Sequence, residues 1–232
     1  MKFADRSDAG RRLAAALSHL KERQPVILAL PRGGVAIGFE IAHALGAPLD
    51  IVLVRKIGVP WQPELAIGAV TDGGRPDAFI DGDLVKALDI GEGYIREETA
   101  RQLEEIERRR KIYCADRPPP EITGRTAIVV DDGIATGATM RVALPAVRHR
   151  NPAHLVLAVP VGPPETIEAL GMQADEVVCL EMPGALTAIG LHYWDFHQMS
   201  DVEVTDLLAR TAHAQEPLFP PGAGGASIGR VE

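Results

Sequence analysis

The order of apolar segments predicts an α/β fold, a parallel sheet with helices on both faces. Three observations carry this. Short β-branched runs alternate with helical patterns along most of the 232 residues. Two of those runs end in Gly-rich or acidic loops, and the carboxyl ends of parallel strands are where such sheets bind ligands. The 46% hydrophobic content suits one packed domain with an insertion better than two domains.

Taken in order, Leu13, Ala16, Leu17 and Leu20 place one apolar face on an opening helix over 7–23, which Pro25 stops. Val26–Leu30 reads as a strand and Val35–Leu45 as a helix closed by Gly46. Ile51–Val54 is a second strand and Ala66–Val70 a third. A helical insertion is expected over about 82–124, chiefly Gly93–Tyr113. There Glu97–Arg101, Glu104–Arg108, Glu105–Arg109 and Glu107–Lys111 stand at i, i+4 on an exposed face, each pair worth roughly a few tenths of a kcal/mol. Pro118-Pro119-Pro120 forms a stiff connector. Thr126–Val130, Leu155–Val159 and Glu176–Leu180 complete the strands, with helices after Gly137 and over Pro164–Leu170. Ser200 and Glu203 make a capping box for a last helix. The domain is expected to span 1–212, with a small hood over about 182–212, and the Pro/Gly/Ala-rich 213–232 to be a disordered tail.

The net charge of −8 argues against a nucleic-acid surface. No membrane span or signal-peptide pattern is evident, and Cys114 and Cys179 lack metal-ligand spacing, so a cytoplasmic protein is expected.

The most informative run is Val129–Thr139: Val-Val-Asp-Asp-Gly-Ile-Ala-Thr-Gly-Ala-Thr. A buried-strand pattern ends in Asp131 and Asp132. Then come Gly133, Ile134, Ala135, Thr136, Gly137, Ala138 and Thr139, and a helix. Backbone N–H groups in such a loop can converge on a phosphate, glycines allow close approach, and carboxylates accept from sugar hydroxyls. No Walker loop and no G-x-G-x-x-G fingerprint occurs. The first strand ends in Pro31-Arg32-Gly33-Gly34, a cation with close-approach glycines that suits pyrophosphate or, taken alone, an ordinary turn. The second ends in Arg55-Lys56.

The Asp131–Thr139 run resembles the 5-phosphoribosyl 1-pyrophosphate (PRPP) motif of type I phosphoribosyltransferases. The wider chain is similar to a less characterised branch of that family. Pro31–Val35, Arg55-Lys56, Pro63–Val70 and His192–Val204 carry this likeness over residues 1–210. The resemblance implies that Asp131 and Asp132 hold the ribose hydroxyls and that Ile134–Thr139 cradle the 5′-phosphate. Arg32, Gly33, Gly34 and Lys56 would meet the pyrophosphate, with Mg2+ bound mainly by ligand oxygens and water. Lys56 could instead be a surface ion-pairing residue. A nitrogen nucleophile would displace pyrophosphate, and part of 58–125 would form a moving cover. A homodimer is compatible with the resemblance. Family members acting on 6-oxopurines usually carry an aspartate where Ala135 stands, which lowers those acceptors. Tyr193 and Trp194 either stack on an acceptor ring or pack a subdomain. His192 with His197, and His149 with His154, lack helical metal-pair spacing. A regulator that senses PRPP or a nucleotide without transfer is the rival reading, since binding and catalysis share these loops.

Overall fold

A computed structural model describes residues 2–72, 77–115 and 117–213. The parallel sheet consists of β1 (Val26–Ala29), β2 (Leu49–Ile51), β6 (Thr126–Val130), β7 (His154–Val161) and β8 (Glu176–Glu181). Its order is β2-β1-β6-β7-β8, and every neighbour pair is parallel. β1 and β6 are buried at every position, as strands covered on both faces must be. Alternate residues feed two cores. Ile27, Ile128 and Val156 pack with α1 (Arg6–Ala16), α2 (Gly33–Leu45) and α7 (Asp201–His213). Leu28, Val129 and Leu157 pack with α5 (Met140–His149) and α6 (Pro164–Gly171).

The α/β class and the β1, β6, β7 and β8 assignments match the sequence expectation. Other parts differ, for identifiable reasons. The opening helix ends at Ala16 and continues as a 3-10 turn over Ser18–Arg23, yet Leu17 and Leu20 are buried as the apolar pattern requires. Pro25 disfavours helical geometry in the residue before it, and Gln24 adopts φ 49. The single strand expected over Ile51–Val54 is two. β2 stops at Ile51, and Val54 opens β3 (Val54–Val59) in a separate antiparallel sheet, β3-β4-β5, with β4 (Gln62–Thr71) and β5 (Asp77–Ile80). The break is fixed by Asp72, whose carboxylate accepts from Leu53 N at 2.7 Å while its own N–H donates to Leu53 O at 3.1 Å. The Ala66–Val70 strand therefore belongs to this second sheet.

The helical insertion comprises α3 (Gly82–Ala87) and α4 (Glu92–Cys114). Glu105 pairs with Arg109 as expected and also with Arg108, while Arg101 pairs with Glu98 one turn back. α4 is not solely a solvated helix. Glu98, Ile106, Tyr113 and Cys114 are buried, and Arg110 reaches Asp50 at 2.8 Å and Asp72 at 2.5 Å. The segment expected to form a hood docks on the core instead. A Phe3–Tyr193 bridge attaches it, and Val204 and Leu208 of α7 are buried with α2. The projecting layer is built from β3–β5 and α4. The capping box forms: Ser200 N donates to Glu203 Oε2 at 2.7 Å, and Glu203 N to Ser200 Oγ at 3.3 Å. Both cysteines are free, and no described helix is long and apolar enough to cross a membrane. Of the tail, 214–232 lie outside the described residues.

Arg110→Ala would leave the buried carboxylates of Asp50 and Asp72 facing one another. The expected loss is about 3–5 kcal/mol of folding stability. Urea unfolding of the variant beside the parent measures it, and a loss under about 1 kcal/mol would show the pair to be solvated.

Candidate functional site

The site begins where two central strands end side by side. Ala29 is in register with Val130, and Leu30 N donates to Val130 O at 2.9 Å, so the loops after β1 and β6 leave the sheet together. The first is Pro31–Gly34, whose Pro31–Arg32 peptide is cis. Both glycines are demanded by the neighbouring loop. A Cβ on Gly34 would lie 2.8 Å from Val130 O and 3.0 Å from Asp131 Cα, and one on Gly33 would overlap the Asp132 carboxylate. Arg32 is partly exposed and approaches Asp201, at the start of α7, to 3.9 Å.

The acidic pair is held unevenly. Asp131 accepts only from the Asp132 N–H at 2.8 Å among the described residues. Asp132 is ion-paired to Arg6 Nε at 2.8 Å, while Arg6 Nη1 donates to His197 O at 2.8 Å and its guanidinium lies 3.9 Å from the centre of the Phe196 ring. Burial first, and the charge of Asp132 second, push Asp131 well above the usual carboxylate range. Burial also raises Asp132, with Arg6 opposing. Arg6 is a site residue that the sequence does not announce. It lies 126 positions from its partner, and the only local cue is Asp5, which caps α1 and sets Arg6 in its first turn.

The Ile134–Thr139 loop divides by role. Ile134 N donates to Val161 O at 2.8 Å and its side chain is buried, so Ile134 anchors the loop and has no N–H to offer a phosphate. Ala138 N is bonded weakly to Thr136 Oγ1 at 3.4 Å. The N–H groups of Ala135, Thr136, Gly137 and Thr139 have no acceptor among the described residues. Ala135, Thr136 and Thr139 are exposed. Gly137 has φ 73, a left-handed conformation, and a Cβ there would lie 2.9 Å from Thr166 Cγ2. A Cβ on Gly133 would meet Ile189 at 2.6 Å. These two glycines therefore serve loop packing.

Thr139 also lines a 580 Å³ cleft between β3 and α4, with Arg55, Lys56, Tyr94, Glu98 and Gln102. Arg32 does not line it. Lys56 enters it from β3, because the β2/β3 break carries that residue into the second sheet. Burial works against the charge of Glu98, but bonds from Arg101 and Gln102 hold its carboxyl below the usual range. Tyr193 is not a stacking face for an acceptor. Its ring is enclosed by Phe3 and Phe196, 5.3 and 4.9 Å away, and its hydroxyl donates to Asp132 O at 2.6 Å. Trp194 is 77% exposed, with Lys2 over its ring. His192 faces Glu181 and His197 faces Glu203. No described cluster of three or more His, Cys, Asp or Glu could cage a metal by itself.

A model of the phosphoribosyl transferase domain matches residues 4–194, which contain both loops and the cleft. The chain belongs to the phosphoribosyl transferase family. Two Mycobacterium tuberculosis proteins, from strains CDC 1551 and H37Rv and each named "Putative phosphoribosyl transferase", are 44% identical to it over 208 residues. The alignment covers 90% of this chain and 46% of each relative, so the chain spans about half of their length. The crystal structure of TT1426 from Thermus thermophilus superposes with TM-score 0.81 at 42% identity, covering 90% of this chain and 99% of that one. This phosphoribosyl transferase fold thus includes the second sheet and α4.

Asp131 should weigh against folding at neutral pH. Its folded pKa is raised, so its contribution to stability is present at low pH and is lost as pH rises through the folded value. Asp131→Asn keeps the acceptor for the Asp132 N–H and removes the charge. It should stabilise the fold at pH 7 by about 1 kcal/mol and flatten the loss of stability as pH rises above the ordinary carboxylate range. Denaturant titrations across that range check it; a less stable variant at pH 7 would contradict the electrostatic account.

Proposed function

We propose that this chain transfers a 5-phosphoribosyl group from PRPP to a nitrogen nucleophile and releases pyrophosphate. One observation carries the reading: four uncommitted N–H groups, three of them on exposed residues, lie next to a carboxylate pair and the Arg32–Gly34 loop. Phosphate, vicinal hydroxyls and a second anion are the three recognition elements of PRPP, in that chemical order. Ala135, Thr136, Gly137 and Thr139 would bind the 5′-phosphate. Asp131 is the freer acceptor for the ribose hydroxyls, with Asp132 steadied by Arg6.

As the C1–O bond breaks, negative charge grows on the departing pyrophosphate and positive charge on the ribose. Arg32 would neutralise the first, and the acidic pair sits beside the second. Lys56, across the cleft from α4 and near Thr139, adds positive charge on the donor's other side. Adjacent carboxylates beside a phosphate loop suit Mg2+, which keeps most of its waters and takes ligand oxygens. Bound with the donor near Asp131, it would supply charge neutralisation at the pyrophosphate. The partners of this reading are PRPP and a small acceptor, with the exposed β3–α4 layer as the cover that excludes water.

Incubation with PRPP, Mg2+ and a panel of bases and amines, scored for pyrophosphate against a no-acceptor blank, tests the activity. Arg32→Ala should lower turnover roughly 10²–10³-fold and PRPP affinity much less, because the charge it meets exists mainly in the transition state. Tight PRPP binding with no pyrophosphate release for any acceptor would favour a sensing regulator.

A further inference from the structure

Arg6 stands where three parts of the site meet. Its Nε donates to Asp132 Oδ2 at 2.8 Å, and its Nη1 donates to His197 O at 2.8 Å. Phe196 covers one face of the guanidinium, its ring centre 3.9 Å from the guanidinium carbon. The Asp5 cap fixes the first turn of α1, which carries the side chain. Arg6 is 8% exposed, and a cation held at two nitrogens and one face has little freedom to move. The ion pair takes Oδ2 of Asp132 and leaves Oδ1 without a hydrogen bond from any other described residue. One oxygen fixes the carboxylate, and the other stays open to a ligand hydroxyl.

The first loop rests on this pair. A Cβ on Gly33 would overlap the Asp132 carboxylate and come within 3.1 Å of Arg6 Nε. The Gly33 backbone therefore lies against the Arg6–Asp132 bond, one residue after Arg32. The strand ends are tied by Leu30 N to Val130 O at 2.9 Å, which fixes where each loop starts. Past that tie, the first loop meets the acidic loop at Gly34, on Val130 O and Asp131 Cα, and at Gly33, on the ion pair. Arg6 thus reaches the junction from outside both loops. No other described cation pairs with Asp132, so without Arg6 its carboxylate is free to swing away from Gly33 or press upon it. Two loops that grip different parts of one ligand combine their strengths only while their spacing matches that ligand.

We propose that Arg6 is a positioning residue: through Asp132 it holds the Arg32–Gly34 loop and the acidic pair at the spacing of one donor molecule. This rests on the PRPP reading above. PRPP, ribose 5-phosphate and pyrophosphate, each with Mg2+, are titrated by calorimetry into wild type, Arg6→Ala and Arg6→Lys, and melting curves show that each protein is folded. Ribose 5-phosphate engages the acidic pair and the loop after it, pyrophosphate engages the first loop, and PRPP engages both. Arg6→Ala should lower PRPP affinity roughly 10–100-fold and the affinity of each half-ligand by no more than about threefold, because only the whole ligand reads the spacing. Arg6→Lys should recover part of the PRPP loss, since it keeps the charge but lacks the planar fork that spans Asp132 and His197 O. If Arg6→Ala does not fold, Arg6→Lys carries the comparison, with the same order of losses at smaller size. Equal losses for PRPP and ribose 5-phosphate overturn the proposal and make Arg6 a local support of Asp132 alone. Equal losses for all three ligands overturn it as well, since a general loosening of the fold predicts them. Wild-type PRPP affinity in a folded Arg6→Ala refutes the proposal and leaves the donor reading standing. If wild type binds no PRPP, the donor reading falls and takes the proposal with it.

Discussion

Two buried carboxylates decide where the second layer of this molecule lies. Asp50 is 1% exposed in the edge strand β2, and Asp72 is buried just after β4. Two carboxylates buried there call for a cation, because a lone buried charge costs several kcal/mol. Arg110 supplies one to both, with Arg117 adding a contact to Asp50 at 3.3 Å. Arg110 is 60 residues from Asp50 and 38 from Asp72, so the bridge ties α4 and the antiparallel sheet to the end of the parallel one. Everything on α4 then has a fixed address. Tyr113 falls beside Asp201 near the β1 loop, and Tyr94 with Glu98 falls over β3. The cleft beside Thr139 exists because that helix is pinned.

The site at the sheet's end faces the opposite problem: its charges must be available and are therefore poorly compensated. Asp131 and Asp132 are adjacent and largely shielded, and each raises the cost of the other's ionisation. The fold relieves one of them with Arg6 and leaves the second free. The relief is itself well supported, since Arg6 is held by the His197 carbonyl and the Phe196 ring as well as by Asp132. Tyr193 adds a bond to the Asp132 carbonyl from the same C-terminal segment. The stretch from 193 to 197 is thus a brace for the acidic pair, and the rings of Tyr193 and Phe196 are spent on that support.

This explains which parts were legible in the sequence. β6, its acidic end, the Gly/Thr loop and α5 are contiguous, and strand, turn and helix signals there agree with one another. Gly33 and Gly34 were recognisable as close-approach residues, although what approaches them is the neighbouring loop. The sequence is silent where the deciding partner lies far along the chain. Nothing near Leu53 announces that Asp72 will end β2 there. Nothing near Arg6 points to Asp132. The charged face of α4 looked solvated because its i, i+4 pairs read as surface decoration. The spacing of Tyr94, Glu98, Arg101 and Gln102 was present in the sequence, but a polar stripe facing a second polar stripe leaves no hydrophobic signature.

The loop after β6 and the cleft beside it are consequently built from different materials. The Ile134–Thr139 loop presents backbone N–H groups, whose positions depend on the parallel sheet and on glycine packing, beside the carboxylates of Asp131 and Asp132. The cleft presents side chains from a helix and a strand of the added layer, each oriented by the next. Exchanging residues along β3 or the first half of α4 alters charge and shape in the cleft without touching the bonds that place Asp131, Ile134 or Gly137. Ala135 fits that division: the loop carries no carboxylate at this point, and the charged side chains of the cleft, Arg55, Lys56 and Glu98, come from β3 and α4.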